Sequence, residues 1–228
     1  MSSTHPRLLP WPGPDGQPSY LVTDDTSSYL SLLADEMEEV QLGAAEAVLR
    51  HATEMLGDED ASTYELRCAG RRLSEALRDT LRIAESRGAR LECGPGRPDA
   101  ASGTRRRLLP WPGPGGQPSY LVSDDGDSHV SLLADQMEQA QLSTAETVLR
   151  LAVELLGEAR VSGCELRCAG HRLCESLRDA LRASESRGGR LFGSADTGGG
   201  LDNGMDGEGK SRREAVRRDG RPGGAAPS

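Results

Sequence analysis

The chain contains itself twice. Displaced by 100 positions, residues 7–91 lie on residues 107–191 without a gap, and 57 of the 85 positions are identical. Whatever fold the chain adopts must be one that a single unit can form and that two units can form together. The identity is uneven, at 17 of 19 positions over 7–25 and 40 of 66 over 26–91. The organisation expected is therefore a first repeat over 1–91, a linker over 92–106, a second repeat over 107–191 and a tail over 192–228.

Each repeat begins with a lead-in rich in Pro and Gly, Arg7-Leu8-Leu9-Pro10-Trp11-Pro12-Gly13-Pro14, which returns as Arg107 to Pro114. Proline fixes φ and has no N–H to give to a ladder, so this part reads as a stiff, irregular arm. It ends in a short extended run, Ser19-Tyr20-Leu21-Val22. Asp24 and Asp25 follow, placed where carboxylates favour the positive end of a helix.

A first helix is expected over roughly 28–56, because Leu30, Leu33, Met37, Val40, Ala44, Val48, His51 and Met55 recur at three- and four-residue steps. The second repeat has Val130, Leu133, Met137, Ala140, Thr144, Val148, Leu151 and Leu155 there, and Gly57 and Gly157 read as stops. A second helix is expected over roughly 63–87. Ser62-x-x-Glu65 and Ser162-x-x-Glu165 are capping-box signatures, and Leu66, Ala69, Leu73, Leu77, Leu81 and Ala84 form its stripe. Gly88 and Gly188 read as its ends, with Arg78, Arg82 and Arg87 crowding the last turns, where cations suit the helix dipole.

These signs give an all-α chain of two tandem helix hairpins with short extended arms. One hairpin buries only a single seam and is marginal alone, whereas two can close a pseudo-twofold four-helix bundle. That is the arrangement expected, with the repeats as each other's partners; two separate hairpins on a flexible tether are the alternative. Aromatic residues are only 3% of the chain, so Leu, Val, Ala and Met must make the core. The Gly-rich tail is expected to be disordered.

Charge and cysteine usage narrow the function classes. The net charge of −9 is carried mainly by the repeats, −7 over 1–91 and −3 over 107–191. An acidic body argues against broad contact with a phosphate backbone and favours a protein partner. The five cysteines are odd in number and unlike a disulfide framework, which suits reduced thiols in a cytoplasm. Residues 1–14 lack the apolar core of a signal peptide, and no run approaches the ~18 apolar residues of a membrane span, so no membrane is expected.

Motifs that suggest chemistry lose it in context. Gly204 to Ser211 spells the phosphate-loop pattern letter for letter, but Thr197-Gly198-Gly199-Gly200 before it is no strand, so no nucleotide site is assigned. Cys164, Cys168, His171 and Cys174 have metal-like spacing, yet only one of the four is shared with Tyr64, Cys68, Arg71 and Ser74 of the first repeat. Small buried thiols are the better reading. His51, His129 and His171 have no histidine at the matching position, and no Gly-x-Ser-x-Gly elbow exists. Glu38, Glu46 and Glu54 read as a solvated acidic face. Arg67, Arg71, Arg78 and Arg82 share one side of the second helix, but Glu75, Asp79 and Glu85 interleave and pair with them. The expectation is no catalytic residue, no metal and no cofactor.

The arms remain. Trp11 and Trp111 either plug an open end of the bundle or anchor a rigid docking arm; on the second reading Leu9, Trp11, Tyr20, Leu109, Trp111 and Tyr120 meet a partner. Leu-Pro-Trp-Pro-Gly-Pro-x-Gly-x-Pro-x-Tyr-Leu, then Asp-Asp, then Leu-Arg-Asp-x-Leu-Arg-x-x-Glu-Ser-Arg-Gly, resembles small actinobacterial proteins of unknown function, over Arg7–Leu91 and again over Arg107–Leu191. Arginine-dominated basic charge, with Lys210 the one lysine, agrees with a GC-rich bacterial genome. The resemblance implies a regulatory role, in development or secondary metabolism, and brings no catalytic residue. The functional expectation is a cytoplasmic, non-enzymatic protein acting through protein–protein contact. A DNA-associated transcriptional regulator is the alternative, although the helices read as too long and too acidic for it.

Overall fold

The computed structural model describes residues 6–23, 28–93, 105–123 and 128–192. All of them fall in one compact unit, Met1–Thr197. The element order is β1 (Arg7–Pro12), β2 (Pro18–Leu21), α1 (Tyr29–Gly57), α2 (Thr63–Cys93), β3 (Arg105–Pro112), β4 (Pro118–Ser123), α3 (His129–Gly157) and α4 (Gly163–Phe192). The chain is mostly helical, and its four helices pack on one another. Asp24, Asp25, the linker core and the tail with its phosphate-loop-like run lie outside the described residues.

The lead-in arms are not irregular: each is a two-stranded antiparallel hairpin. Arg7 faces Leu21 and Pro12 faces Pro18, with an irregular register between Leu8 and Pro12. The turn is closed by Gly13 N–H donating to the Gln17 carbonyl at 2.7 Å and Gly16 N–H to the Gly13 carbonyl at 3.0 Å. Gly16 and Gly116 take φ of +75° and +80°, which only glycine adopts without strain. A two-stranded ribbon is marginal alone, and its irregular register leaves carbonyls to satisfy. The helices satisfy them: Ser86 Oγ donates to the Leu8 carbonyl at 2.8 Å and Gln41 Nε2 to the Pro10 carbonyl at 3.2 Å. Ser186 and Gln141 do the same for Leu108 and Pro110.

The helix starts follow the sequence chemistry. Ser62 N–H donates to Glu65 Oε2 at 2.8 Å while Glu65 N–H donates to Ser62 Oγ at 3.3 Å, and Ser162 and Glu165 repeat the exchange. The Ser62 and Ser162 hydroxyls also donate to these Glu Oε2 atoms at 2.7 Å, and this bond first, with the serine N–H second, holds the Glu65 and Glu165 carboxyls below their ordinary value. Ser28 and Ser128 cap α1 and α3.

Two features of the helices also depart from expectation. First, α2 and α4 continue through Gly88 and Gly188 to Cys93 and Phe192. A Cβ on Gly88 would stand 2.5 Å from an Arg187 nitrogen, and one on Gly188 would meet Arg87 likewise, so each glycine makes room for an arginine of the other repeat. Arg87 is accordingly not a last-turn dipole partner but a buried lateral one. Second, α1 and α3 bury a different face from the expected stripe. Ala34, Ala45, Ala52 and Leu56 are inside, whereas Leu30, Val40, Ala44 and His51 are exposed and Leu33, Met37, Val48 and Met55 half-buried. Small residues win the inner face because they let the helix axes approach. The α2 stripe holds, with Leu66, Leu73, Leu77 and Ala84 within the shared core.

Contacts between the repeats are reciprocal. The most extensive helix interface joins α2 to α4. Neither α1 nor α3 has a basic residue in its last turn. The cation arrives from the other repeat: Arg167 Nη1 donates to the Leu56 and Asp58 carbonyls at 2.5 and 2.7 Å, and Arg67 Nη1 to those of Leu156 and Glu158 at 2.6 and 2.8 Å. Leu156 packs on Gly70 and Leu56 on Gly170.

A Cβ on Gly70 or Gly170 would stand 2.8 or 2.6 Å from the facing leucine. Gly70→Ala and Gly170→Ala are therefore expected to destabilise despite better helix propensity, by about 1 kcal/mol net. Gly43, with nothing within 4 Å, is expected to gain about as much on substitution by Ala. Urea unfolding of the three variants checks the opposite signs.

Candidate functional site

The chemistry-bearing cluster of each repeat is a buried carboxylate ringed by arginines. Glu38 is fully buried on α1, which corrects its reading as part of a solvated acidic face; Glu46 and Glu54 are exposed. Arg7 Nη2 reaches Glu38 Oε1 at 2.8 Å from β1, and Arg87 Nε and Arg90 Nη2 reach Oε2 at 2.9 and 3.0 Å from α2. Asp35 receives Arg7 and Arg90 at 2.6 and 3.0 Å, and Glu39 receives Arg87 at 2.7 Å. Glu138 repeats the arrangement with Arg107, Arg187 and Arg190, and Ser186 Oγ adds a bond at 2.7 Å. Arg87 Nη1 then crosses to the Ser184 carbonyl at 3.0 Å and Arg187 Nη1 to that of Ala84 at 2.7 Å.

Buried charges survive only when paired and hydrogen-bonded. Both Glu38 oxygens are engaged by guanidinium groups, so the buried charge is paired. The cluster fastens the hairpin to α1 and α2 and the repeats to each other. Its signal in the sequence was identity between the repeats at positions 7, 35, 38, 87 and 90, joined to the place of Glu38 in the Ala34, Ala45, Ala52 row. Burial raises the Asp135 carboxyl, but the hydrogen bonds and charges of Arg107 and Arg190 outweigh it and bring the group below its ordinary value.

The residues named for partner contact divide by exposure. Leu9 and Leu109 are buried at 7%, which takes them off the surface and makes them part of the hairpin's seat. Trp11 and Trp111 are half-buried. Tyr20 and Tyr120 are 56% and 42% exposed. The Arg106 guanidinium lies over the Tyr120 ring at 3.9 Å. Tyr20 also lines a groove of about 240 Å³ with Leu8, Pro18, Leu81, Arg82 and the second repeat's Leu149. An adjoining hollow of about 380 Å³ extends it along α2 and α3 past Arg78, Leu149 and Val153. Burial, opposed by Arg82 and Arg78, raises the Asp79 carboxyl beside this groove, and Asp179 is raised in the same way.

The cysteine cluster needs correction. Cys164 and Cys168 are exposed, as is Cys68, and Cys174 alone is buried among the four cysteines whose side chains are described. Burial pushes the Cys174 thiol up, although Thr53 beside it acts the other way, so this sulfur is held protonated. Among the described residues, no group of three or more His, Cys, Asp or Glu side chains is placed to hold a metal ion. His51, His129 and His171 are exposed. No described helix is long and apolar enough to cross a membrane.

No protein-family model, no curated protein and no solved structure matches this chain.

Glu38→Ala removes the buried carboxylate that three guanidinium groups share, leaving them only the more exposed Asp35 and Glu39, and the expected cost is about 3 kcal/mol by chemical denaturation; Glu46→Gln on the same helix is expected to stay within about 0.5 kcal/mol. The acid limb supplies a second check. Asp135 has a folded-state value below its ordinary 3.8, so its contribution is fully present above that pH and is lost as pH falls through the lower folded value. Asp135→Asn is expected to flatten the loss of stability below about pH 4, read from unfolding midpoints across that range.

Proposed function

We propose that this chain is a non-catalytic, regulatory protein that works by binding other proteins, with its two repeats closed on each other as a pseudo-twofold four-helix bundle in the cytoplasm. The observation that carries the reading is the groove beside Tyr20, in which an exposed aromatic ring, the apolar side chains of Leu8, Leu81 and Leu149, and the charges of Arg78, Arg82, Glu85 and Glu146 meet on one surface. An amphipathic ring on a fastened hairpin is a low-entropy contact of the kind that dominates protein interfaces. The groove is assembled from both repeats, so it exists only when they are paired.

Other features support a binding role over contact with nucleic acid. Arg7, Arg67, Arg87 and Arg90 are engaged inside the molecule, by carboxylates or by carbonyls of the other repeat. The second helix therefore has fewer free cations than its sequence suggests, and the body is acidic. The reciprocal contacts of Arg67 with Arg167, Gly70 with Gly170 and Arg87 with Arg187 agree with an interface between equivalent halves. The likeness to small actinobacterial proteins supplies the regulatory part of the proposal.

A nuclease-treated pull-down tests it, with wild type beside Tyr20→Ala/Tyr120→Ala and Trp11→Ala/Trp111→Ala. Circular dichroism confirms that each variant stays helical. The expected result is a defined protein retained by wild type and lost from the folded tyrosine variant. Capture unchanged in both variants would remove the hairpin surface from the proposal.

A further inference from the structure

The outward apolar strip of α1 shares only Val40 and Ala44 with the expected stripe and adds Tyr29 and Leu32 to them. Tyr29, Leu32 and Val40 are 78%, 58% and 61% exposed, and Ala44 follows on the same side. From Tyr29 to Val40 this strip runs three turns, roughly 17 Å. Along it stand exposed carboxylates. Glu36 lies one turn from both Leu32 and Val40, Glu39 and Glu46 follow, and the exposed Asp58, Glu59 and Asp60 close the C-terminal end.

The second repeat is an internal control. Its helix keeps Leu132, 52% exposed, but has His129 and Ala140 where the first repeat has Tyr29 and Val40. It has Gln136, Gln139, Ala159 and Arg160 where the first repeat has Glu36, Glu39, Glu59 and Asp60. Residues 36–60 hold eight acids and one arginine, for −7, whereas residues 136–160 hold four acids and two arginines, for −2. The same helix forms in both, so the fold does not need the extra negative charge. Concentrating it costs self-repulsion, which calls for a compensating role.

We propose that the outer face of α1 docks a basic amphipathic helix of a partner protein. An apolar row at helical spacing beside a row of one sign is matched by a helix with an apolar stripe flanked by Lys or Arg. The sign of the face decides against other occupants. A second copy would bring like charges together, and a nucleic-acid backbone or anionic membrane has the same sign as the face. Local cations are few and already directed: Arg87 pairs with Glu39 at 2.7 Å, Arg167 points at the carbonyls of the 58–60 loop, and Arg50 stands on the helix's outer side. This site stands apart from the hairpin groove and does not depend on its being filled.

The test uses the full chain and a fluorescent helical peptide of Leu and Lys in amphipathic order, beside a scrambled peptide of the same composition. Anisotropy is expected to show the ordered peptide binding about tenfold tighter than the scrambled one, with affinity falling as salt rises. Glu36→Gln/Glu59→Ala/Asp60→Arg, which installs second-repeat residues, is expected to lose about tenfold. Gln136→Glu/Ala159→Glu/Arg160→Asp combined with His129→Tyr/Ala140→Val, which installs first-repeat residues, is expected to add a second binding event, and Tyr20→Ala to change nothing. Equal binding of the two peptides, or unchanged affinity in Tyr29→Ser/Val40→Ser, would overturn the proposal. So would a wild-type dimer in sedimentation that Val40→Ser dissociates, because the face would then belong to a second copy.

Discussion

Glu38 and its counterpart Glu138 are the points on which the rest of the structure hangs. Each carboxylate, buried in the inner row of its repeat's first helix, gathers an arginine from the hairpin and two from the second helix. One of those arginines continues to a carbonyl of the opposite repeat. A hairpin of two short, proline-rich strands has no independent stability. It is ordered here because Arg7 ties its first strand to a charge that can be solvated nowhere else, and because Ser86 and Gln41 take up its spare carbonyls. Such a network adds less to net stability than its bond count suggests, since desolvation offsets much of the attraction. Its effect is geometric: an unpaired charge in the wrong arrangement costs more than a paired one gains, so one orientation of hairpin and helices is selected.

The same logic explains why the repeats meet as they do. Each first helix ends without a cation of its own and receives one from the other repeat. Glycines at 70, 88, 170 and 188 lie where side chains of the other repeat cross the helix. The helix ends and the close approach are both completed by residues of the other repeat. The groove beside Tyr20 depends on this too, since its walls come from both halves.

Much of the fold was legible in particular residues. Ser62 and Glu65 start α2 where the capping-box pattern puts it, and Leu66, Leu73 and Leu77 are core as their spacing requires. Gly88 was misleading because a helical glycine has two uses, as a stop or as a cleft for a neighbour, and local sequence does not separate them. Glu38 was misread because a carboxylate at helical spacing beside others reads as surface. Its three arginines lie 31, 49 and 52 positions away, beyond the reach of any local pattern. The exposed cysteines were misjudged because small thiols are usually buried, and nothing in their spacing shows which side of α4 meets solvent.

The chain's own order determined the repeat, the four helices, their capped beginnings and the turn glycines, because each rests on interactions a few residues apart. Tertiary structure alone decided which side of α1 and α3 is inside. A helix with apolar residues on two faces has two ways to pack, and amphipathic spacing cannot choose between them. The choice fell to the row of Ala34, Ala45 and Ala52, whose small side chains let the helices approach closely enough for Glu38 to meet its arginines. Tyr29, Leu32 and Val40 were left facing outward, beside the carboxylates that mark the first repeat from the second.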